Sequence, residues 1–438
     1  MLNRSAAARN GGRYLLLLGA DIPLRERAVV SALRSYPGPV LGMSTTPAAP
    51  LTNRFFDHVL RADYYDAEEA LAAVVAFEKE TGLRPDAVVP VIEMTVHVSV
   101  ALARHYDLPT LSEDCLALVR DKHAMKLAFE RAGVPCARHR TFATLDELRD
   151  AAAELGLPLV LKPRDFAGNV GTVLVSSADE LPAAFAYCRG GLLEVAPTYD
   201  FADGRYQAEE FVAAPHEVSV EVAHLGGERA VLAVTDKSKA GAPYFSEMGQ
   251  LVPSAETHNE ALRQVALDAC EALLIDRGVA HVEVLVDGDR LSVVEVAARP
   301  GGDGIMDLVE RVYGYSPYDV HIASYHGSVD RLPDFPDTPL GIGATAFLKT
   351  PPGTVTEVRP LPATTGRETT LHPTARAGDR SRSDGSYMAR AGILECYADG
   401  AGHDPRAFRA EVDALARTRA DQIFTVEPVP PSDEGDPR

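Results

Sequence analysis

Between residues 13 and 120 the chain alternates short apolar runs with amphipathic stretches. RYLLLLGA, from Arg13, reads as a buried strand, and a helix follows near Leu24–Ser35. PVLGMS reads as a second strand, Ala67–Thr81 as a helix, AVVPVIE as a third strand and Met94–Tyr106 as another helix. This strand–helix rhythm predicts a parallel sheet with helices on its faces. No G-x-G-x-x-G follows the first strand, so nothing there supports dinucleotide binding.

From Asp121 the pattern changes. DKHAMKLAFERAG predicts a helix capped by Asp121 and stopped at Gly133. TLDE, from Thr144, is a capping box for a helix that ends at Gly156. LPLVLKP then reads as a strand, DFAGNVG as a loop, and TVLVSS and QAEEFVAAPHEVSVEVAHL as further extended segments. THNE, from Thr257, predicts a second capping box, with Leu262, Val265, Ala269 and Leu273 on one helical face and a stop at Gly278. HVEVLVDGDRLSVVEVAARPGG, residues 281–302, has two alternating runs split by Asp287-Gly288-Asp289, a hairpin signature. A Pro- and Asp-rich segment, RLPDFPDTP, marks a boundary near 331–339, beyond which GIGATAFLK and GILECYA read as strands and about 405–422 as a helix. The pattern therefore divides the chain into 13–120, 121–330 (two small lobes joined near residue 200) and 331–428, with frayed ends at 1–12 and from about Pro428. No internal repeat or low-complexity tract interrupts it.

Composition narrows the partners. The 438 residues are 46% hydrophobic and 24% charged, as in a globular protein, and carry a net charge of −20. Such a surface repels nucleic acid and anionic membranes, and an anionic ligand would need a local positive pocket or metal ions. Five scattered cysteines without a C-x-x-C pair fit a reduced cytoplasm better than a disulfide framework or zinc site. The apolar run Tyr14–Leu18 is too short to span a bilayer.

The chemistry concentrates in four places. In the hairpin, Glu283 and Glu295 stand among valines. A three-residue loop would pair Val286 with Arg290, set residue 283 opposite 293 and make 295 its diagonal neighbour, about 7–8 Å away. Like charges that close on a half-buried sheet repel and lose solvation, so cations between them are expected, and oxygen-only ligation suits Mg²⁺. The competing reading is that one or both face solvent. Lys162 ends a strand before the glycine-containing loop Asp165–Gly171, where it could reach phosphates cradled by backbone N–H groups, or simply snorkel. Glu209-Glu210-Phe211-Val212 could present backbone to a base edge, or merely start a strand. Arg299-Pro300-Gly301-Gly302 could hold a guanidinium beside a developing anion, or form a turn.

In this order and spacing, over roughly residues 13–325, these features resemble the ATP-grasp superfamily; VVEVAARPGGDGI and TDKSKAGAPYFSEMGQLVPS look most like the L-amino acid ligases, which join amino acids into dipeptides. The resemblance implies an α/β ATP-grasp fold with a Rossmann-like N-terminal pre-ATP-grasp domain and a C-terminal α+β domain. It implies ATP and Mg²⁺, with Mn²⁺ as an alternative ion, small carboxylate and amine substrates of the amino-acid class, and a homodimer by analogy. Carried over residue by residue, Lys122 contacts nucleotide phosphate and Lys162 the α- and β-phosphates, while Gly168 and Gly171 belong to the phosphate lid. Glu209, Glu210, Phe211 and Val212 match the adenine hinge, with the Val212 amide as donor. EEFVAAPHEV is similar to a biotin carboxylase stretch that sets Glu217 at the ribose. Glu283 and Glu295 match the metal-bridging pair and Arg299 the arginine near the transferred phosphate. Glu93, Lys237, Gly301 and Gly302 are substrate-binding candidates, and His97, Thr235, Lys239 and Phe245 could line the same site. One departure stands out: many relatives carry Asn two residues after the second metal glutamate, where this chain has Ala297. The implied reaction is ATP-dependent amide formation through an acyl phosphate, with release of ADP and phosphate. The alternatives are a bicarbonate-using carboxylase or purine-pathway relative, and a non-catalytic ATP-binding protein.

Overall fold

Five successive apolar residues of strand β1 (Arg13–Leu18) are fully buried, because both faces of its sheet are covered. Tyr14, Leu16 and Leu18 enter one core and Leu15 and Leu17 another, as alternation along a strand requires. Strands β2 (Val40–Ser44), β3 (His58–Arg61) and β4 (Arg84–Pro90) complete a parallel sheet in the order β3-β2-β1-β4. Helices α1 (Glu26–Ser35), α2 (Ala67–Thr81) and α3 (Val96–His105) accompany it. Strand β3 is absent from the sequence expectation: of HVLR only Leu60 is buried, so no period-2 signal exists to read. The computed structural model describes residues 11–22, 25–45, 55–166, 168–199, 204–361, 368–381, 390–400 and 402–428. The expected frayed ends thus lie almost wholly outside the described residues, as does Leu24.

Helix α4 (Glu113–Arg120), capped by Ser112, is a further element that the pattern did not disclose. Helix α5 (Lys122–Ala132) is capped by Asp121, whose carboxylate accepts from the His123 and Ala124 amides, and ends at left-handed Gly133. Both capping-box hydrogen bonds form at Thr144 and Glu147, opening α6 (Leu145–Leu155). Strands β5 (His139–Phe142), β6 (Leu159–Pro163), β7 (Val173–Val175) and β8 (Tyr206–Glu210) form a small antiparallel sheet, β5-β8-β6-β7, with α7 (Leu181–Tyr199) against it.

The largest sheet has eight antiparallel strands. Five are β9 (His216–Leu225), β10 (Glu228–Lys239), β11 (Glu247–Val252), β12 (Gly278–Asp287) and β13 (Arg290–Ala297). On β9 and β12, Val218, Val220, Val222, Val282, Val284 and Val286 enter a core shared with α4, α5 and α8 (Glu260–Ala272). The alternate residues, Glu217, Ser219, Glu221, His281 and Glu283, occupy the other face. A one-residue slip would exchange these two sets, so the valines fix where the carboxylates point.

Two local expectations are corrected. Asp287 pairs with Arg290, leaving Gly288-Asp289 as a two-residue turn rather than a three-residue loop. Gly288 takes φ +58, the positive value that primed hairpin turns require. A bulge then leaves Val294 out of register, so Glu283 lies directly opposite Glu295 rather than Val293. Helix α8 begins after Asn259, whose side chain accepts from the Leu262 amide, and not at a Thr257 capping box; Thr257 Oγ1 instead donates to the Ser254 carbonyl. It ends at Ala272, where Leu274 adopts φ +59, well before Gly278.

The great sheet continues across the Pro- and Asp-rich segment. Strands β14 (Gly341–Lys349), β16 (Glu368–Pro373) and β18 (Arg390–Asp399) extend it, in the order β13-β12-β9-β10-β11-β14-β18-β16. Strands β15 (Gly353–Val358), β17 (Arg380–Ser381) and β19 (Phe424–Glu427) form a small separate sheet, and α11 (Pro405–Ile423) packs on β14. Helices α9 (Ile305–Tyr313) and α10 (Pro317–His326) join the great sheet to the N-terminal one. Among the described residues no helix is long and apolar enough to cross a membrane.

Candidate functional site

The polar face of the great sheet, the β5–β8 sheet and the loop residues 165–166 and 168–171 enclose a cleft with two chambers. The first, of about 300 Å³, is lined by Lys126, Lys162, Glu209, Phe211, Val212 and Lys239 among others. The second, of about 240 Å³, is lined by Arg25, Glu93, Phe166, Glu247, Arg299 and Asp303 among others. A 40 Å³ neck bounded by Lys122, Lys162, Gly168, Glu283 and Glu295 shares walls with both.

In the first chamber Lys162 projects from β6 with its Nζ 2.9 Å from Glu209 Oε1. Lys126, one turn beyond Lys122 on α5, donates to the Val293 carbonyl at 2.9 Å and lies 3.7 Å from Glu209 Oε2. Burial opposes the Glu209 charge, yet the two ammonium groups pull its carboxyl down to about 2. Two lysines around one carboxylate leave a positive excess, which suits phosphate. Glu210 and Phe211 amides donate to the Arg138 and Pro158 carbonyls at 2.9 and 3.1 Å, and the Glu210 carboxylate binds Arg138. The Val212 amide makes no such bond among the described residues. The Phe211 ring stacks at 6.0 Å on Phe245, whose carbonyl accepts from Asn169 of the loop.

At the neck the opposed glutamates are each held by a cation of the chain. Lys237 and His281 bind Glu283, and Lys122 lies 3.0 Å from Glu295. Lys237 also contacts Glu247 at 2.5 Å and Glu217 at 3.4 Å, and Lys239 binds Glu217. Glu217, Glu247 and Glu283 oxygens converge within 4.8 Å of one another, around that buried ammonium. Burial alone would neutralise Glu283 and Glu247, but Lys237 holds both well below the usual carboxylate range and is itself held well above its own. Burial likewise disfavours His281⁺, yet Glu221 Oε1, 2.6 Å from its Nδ1, raises it to about 9. The donors that remain for a metal are carboxylate oxygens, a hard set that fits Mg²⁺. Ala297, buried beside them, offers no donor.

In the second chamber Arg299 Nε lies 3.2 Å from Glu93 Oε2, and its Nη1 donates to the Pro300 carbonyl. The Gly301 amide donates to Glu221 Oε2 at 3.2 Å. A Cβ on Gly301 would sit 2.9 Å from Glu221 Oε1 and 3.0 Å from His281 Nδ1, so only glycine brings this backbone so close. Gly302 lines the chamber, and Arg390 pairs with Asp303 at 3.0 Å.

The expected residues therefore converge, with differences of detail. Gly171 stands at the end of the loop, behind the neck residues Gly168, Asn169 and Val170. Lys237, Lys239 and Phe245, expected near substrate, line the first chamber instead. His97 bonds the Tyr65 carbonyl and Thr235 is buried, and neither borders the cleft chambers. Lys126, Glu221, Glu247, His281, Asp303, Arg390 and Arg25 were not singled out. Lys126 was findable as the i+4 partner of Lys122, and His281 as the same-face neighbour of Glu283. Nothing local marks the others.

Residues 155–307 match the ATP-grasp domain family. An alanine–anticapsin ligase of Bacillus subtilis is 28% identical over 211 residues, 44% of either chain. A formate-dependent phosphoribosylglycinamide formyltransferase of Stutzerimonas stutzeri is 30% identical over 272 residues, 61% of this chain and 64% of that one. The chain thus spans about half to nearly two thirds of these curated relatives' lengths. Among solved structures, an L-amino acid ligase from Bacillus licheniformis superposes with a TM-score of 0.74 at 18% identity, covering 95% of this chain and 99% of that one. The biotin carboxylase domain of a Hydrogenobacter thermophilus 2-oxoglutarate carboxylase, solved with MgADP and bicarbonate, gives 0.69 at 14% identity, covering 95% and 90%. Over 95% of its length the chain shares the fold of these two structures.

Proposed function

This chain carries an ATP-grasp domain, and from that premise we propose that it is an ATP-dependent carboxylate–amine ligase that forms an amide, of the dipeptide class, through an acyl phosphate. The observation that carries the reading is the neck: Glu283, Glu295 and Gly168, which also line the small-molecule chamber, stand there beside Lys162 and Lys239 of the lysine-rich one. In this reading the Val212 amide meets the base edge, Glu217 the ribose, and Lys126, Lys162 and Lys122 the phosphates. Glu283 and Glu295 would hold Mg²⁺, which neutralises and aligns phosphate oxygens when bound.

The acid's carboxylate oxygen forms a bond to the γ-phosphorus as the bond to the β–γ bridging oxygen breaks, and that electron pair leaves with ADP. The amine lone pair then attacks the acyl carbon. The carbonyl oxygen becomes an oxyanion beside Arg299, whose guanidinium Glu93 orients. Collapse expels phosphate with the C–O electron pair, and the amine nitrogen loses its proton. The 165–171 loop excludes water that would otherwise hydrolyse the acyl phosphate.

Ile92, Met94, Phe166 and Ile305 give the second chamber apolar walls, which favours an acid bearing a side chain over bicarbonate or formate. Five free thiols and a nucleotide substrate support a cytoplasmic setting. The test is a screen of amino-acid pairs for release of ADP and phosphate. Release that requires both an acid and an amine is expected; ATP turnover indifferent to either would sink the reading.

A further inference from the structure

Arg25 belongs to the N-terminal unit, at the turn before α1, yet its side chain ends in the second chamber. The residue is 8% exposed. Its Nη1 donates to the Gly301 carbonyl and to the Tyr318 hydroxyl, each at 2.9 Å. Both acceptors are neutral. The other two arginines of the chamber are committed to carboxylates, Arg299 to Glu93 at 3.2 Å and Arg390 to Asp303 at 3.0 Å. Among the described residues no carboxylate oxygen lies within 4.0 Å of the Arg25 guanidinium. Asp303 and Asp307 favour its charge from beyond ion-pair distance, but its direct hydrogen-bond partners are neutral, so a bound anion would be the first to meet the buried fork itself. Its planar fork is built for a carboxylate.

Two carboxylates are at issue in amide formation between amino acids. The donor's is consumed, and to meet phosphate it must lie at the neck. Arg25 lines the wide chamber and not the neck. The acceptor's carboxylate survives the reaction and needs a fixed counter-charge away from the phosphates. We propose that Arg25 binds the carboxylate that the amine substrate retains, so that the acceptor is an amino acid rather than a simple amine. The assignment rests on the ligase reading above. It also makes the N-terminal unit a wall of the substrate site, with the Gly301 loop tied to it through the same guanidinium.

The experiment compares acceptors against one productive donor, using an L-amino acid such as alanine, its amide, and hydroxylamine, which traps an acyl phosphate as hydroxamate and has no carboxylate. Wild-type enzyme should prefer the amino acid to its amide by about 10²-fold in kcat/KM, the worth of a close charge pair. Arg25→Met should lose that preference, falling to near parity, with hydroxamate formation reduced far less than amide formation from the amino acid; Arg25→Lys should retain part of the preference. Wild type using the amide as well as the acid would overturn the assignment whether or not the variants fold. So would Arg25→Met keeping the preference, or losing hydroxamate formation in step with amide formation. No hydroxamate from wild type with any donor would overturn the ligase reading and the Arg25 assignment together.

Discussion

The two chambers are built in opposite ways. The first draws on a helix, a strand and a hinge whose key residues, Lys126, Lys162 and Glu209 to Glu217, follow one another within one stretch of chain. The second takes Arg25, Glu93, Glu247, Arg299, Asp303 and Arg390 from stretches of chain scattered between residues 25 and 390. A cofactor-like reactant common to many enzymes is met by a local framework. A particular acid and amine are met by side chains that only the tertiary structure gathers, and these can change without disturbing the framework. The opposed glutamates line the second chamber and the neck that leads to the first.

The sharpest way to break this division is at the neck. Glu295→Ala removes one of the opposed carboxylates and leaves Lys122 without its 3.0 Å partner. Metal alignment of the phosphates is worth several kcal/mol, so turnover should fall by about 10³-fold or more. Thermal stability should hold, because the substitution also removes a repulsion from the strand pair. Near-normal activity at low Mg²⁺ would place the metal elsewhere. Arg299→Ala tests the second chamber alone: kcat should fall by about 10²–10³-fold, as for loss of one oxyanion donor, with ATP affinity unchanged by calorimetry. Equal losses in both quantities would make Arg299 a phosphate ligand and blur the boundary.

How much of each chamber could be read beforehand follows from the same difference. The Asp121, Thr144 and Gly133 signals are local, and the helices they predict form as expected. Lys162 and Glu209 to Val212 occupy strand ends in the order the pattern indicated. The hairpin was legible as a hairpin, but its register was not. That register depends on whether Asp287 pairs and on a bulge at Val294, and no period in the sequence reports either. Arg25 falls at the start of the helix expected near Leu24–Ser35, where nothing local marks it, and its partners Gly301 and Tyr318 lie nearly three hundred residues further on. Short strands such as β3 fail for a third reason, since one buried side chain makes no pattern.

Lys162→Ala sharpens the comparison from the other side. Its loss leaves Lys126 to hold Glu209, so the first chamber is weakened rather than emptied. A hydrogen bond from a charged group is worth about 1.5–3 kcal/mol, which predicts an ATP KM raised by about tenfold to a hundredfold. The preference among acceptors should not move, and a changed preference would show that the chambers are not separable.

The smallest expected effect concerns the support behind the second chamber. Asp307 lies in the first turn of α9, just past the Gly301 loop, and is 9% exposed. It faces Arg25, Arg27, Glu310, Glu395 and, through Glu395, His372; the nearest cation, Arg27 Nε, is 3.6 Å away. Burial, reinforced by Glu395, pushes its carboxyl from 3.8 up to about 7 against the pull of Arg27 and Arg25. The folded chain therefore keeps a proton there that the unfolded chain gives up. The stability this group permits is complete below its unfolded value of 3.8 and is lost as pH rises through about 7. Asparagine imitates the protonated form and does not titrate. Asp307→Asn should raise Tm by a few degrees at pH 8, and by less at pH 5, as scanning calorimetry would record. ATP KM should be unchanged at both, because no wall of the first chamber is touched. A gain independent of pH would mean that repulsion from Glu395 is met by Arg27 after all, and that the second chamber's support carries no strained charge.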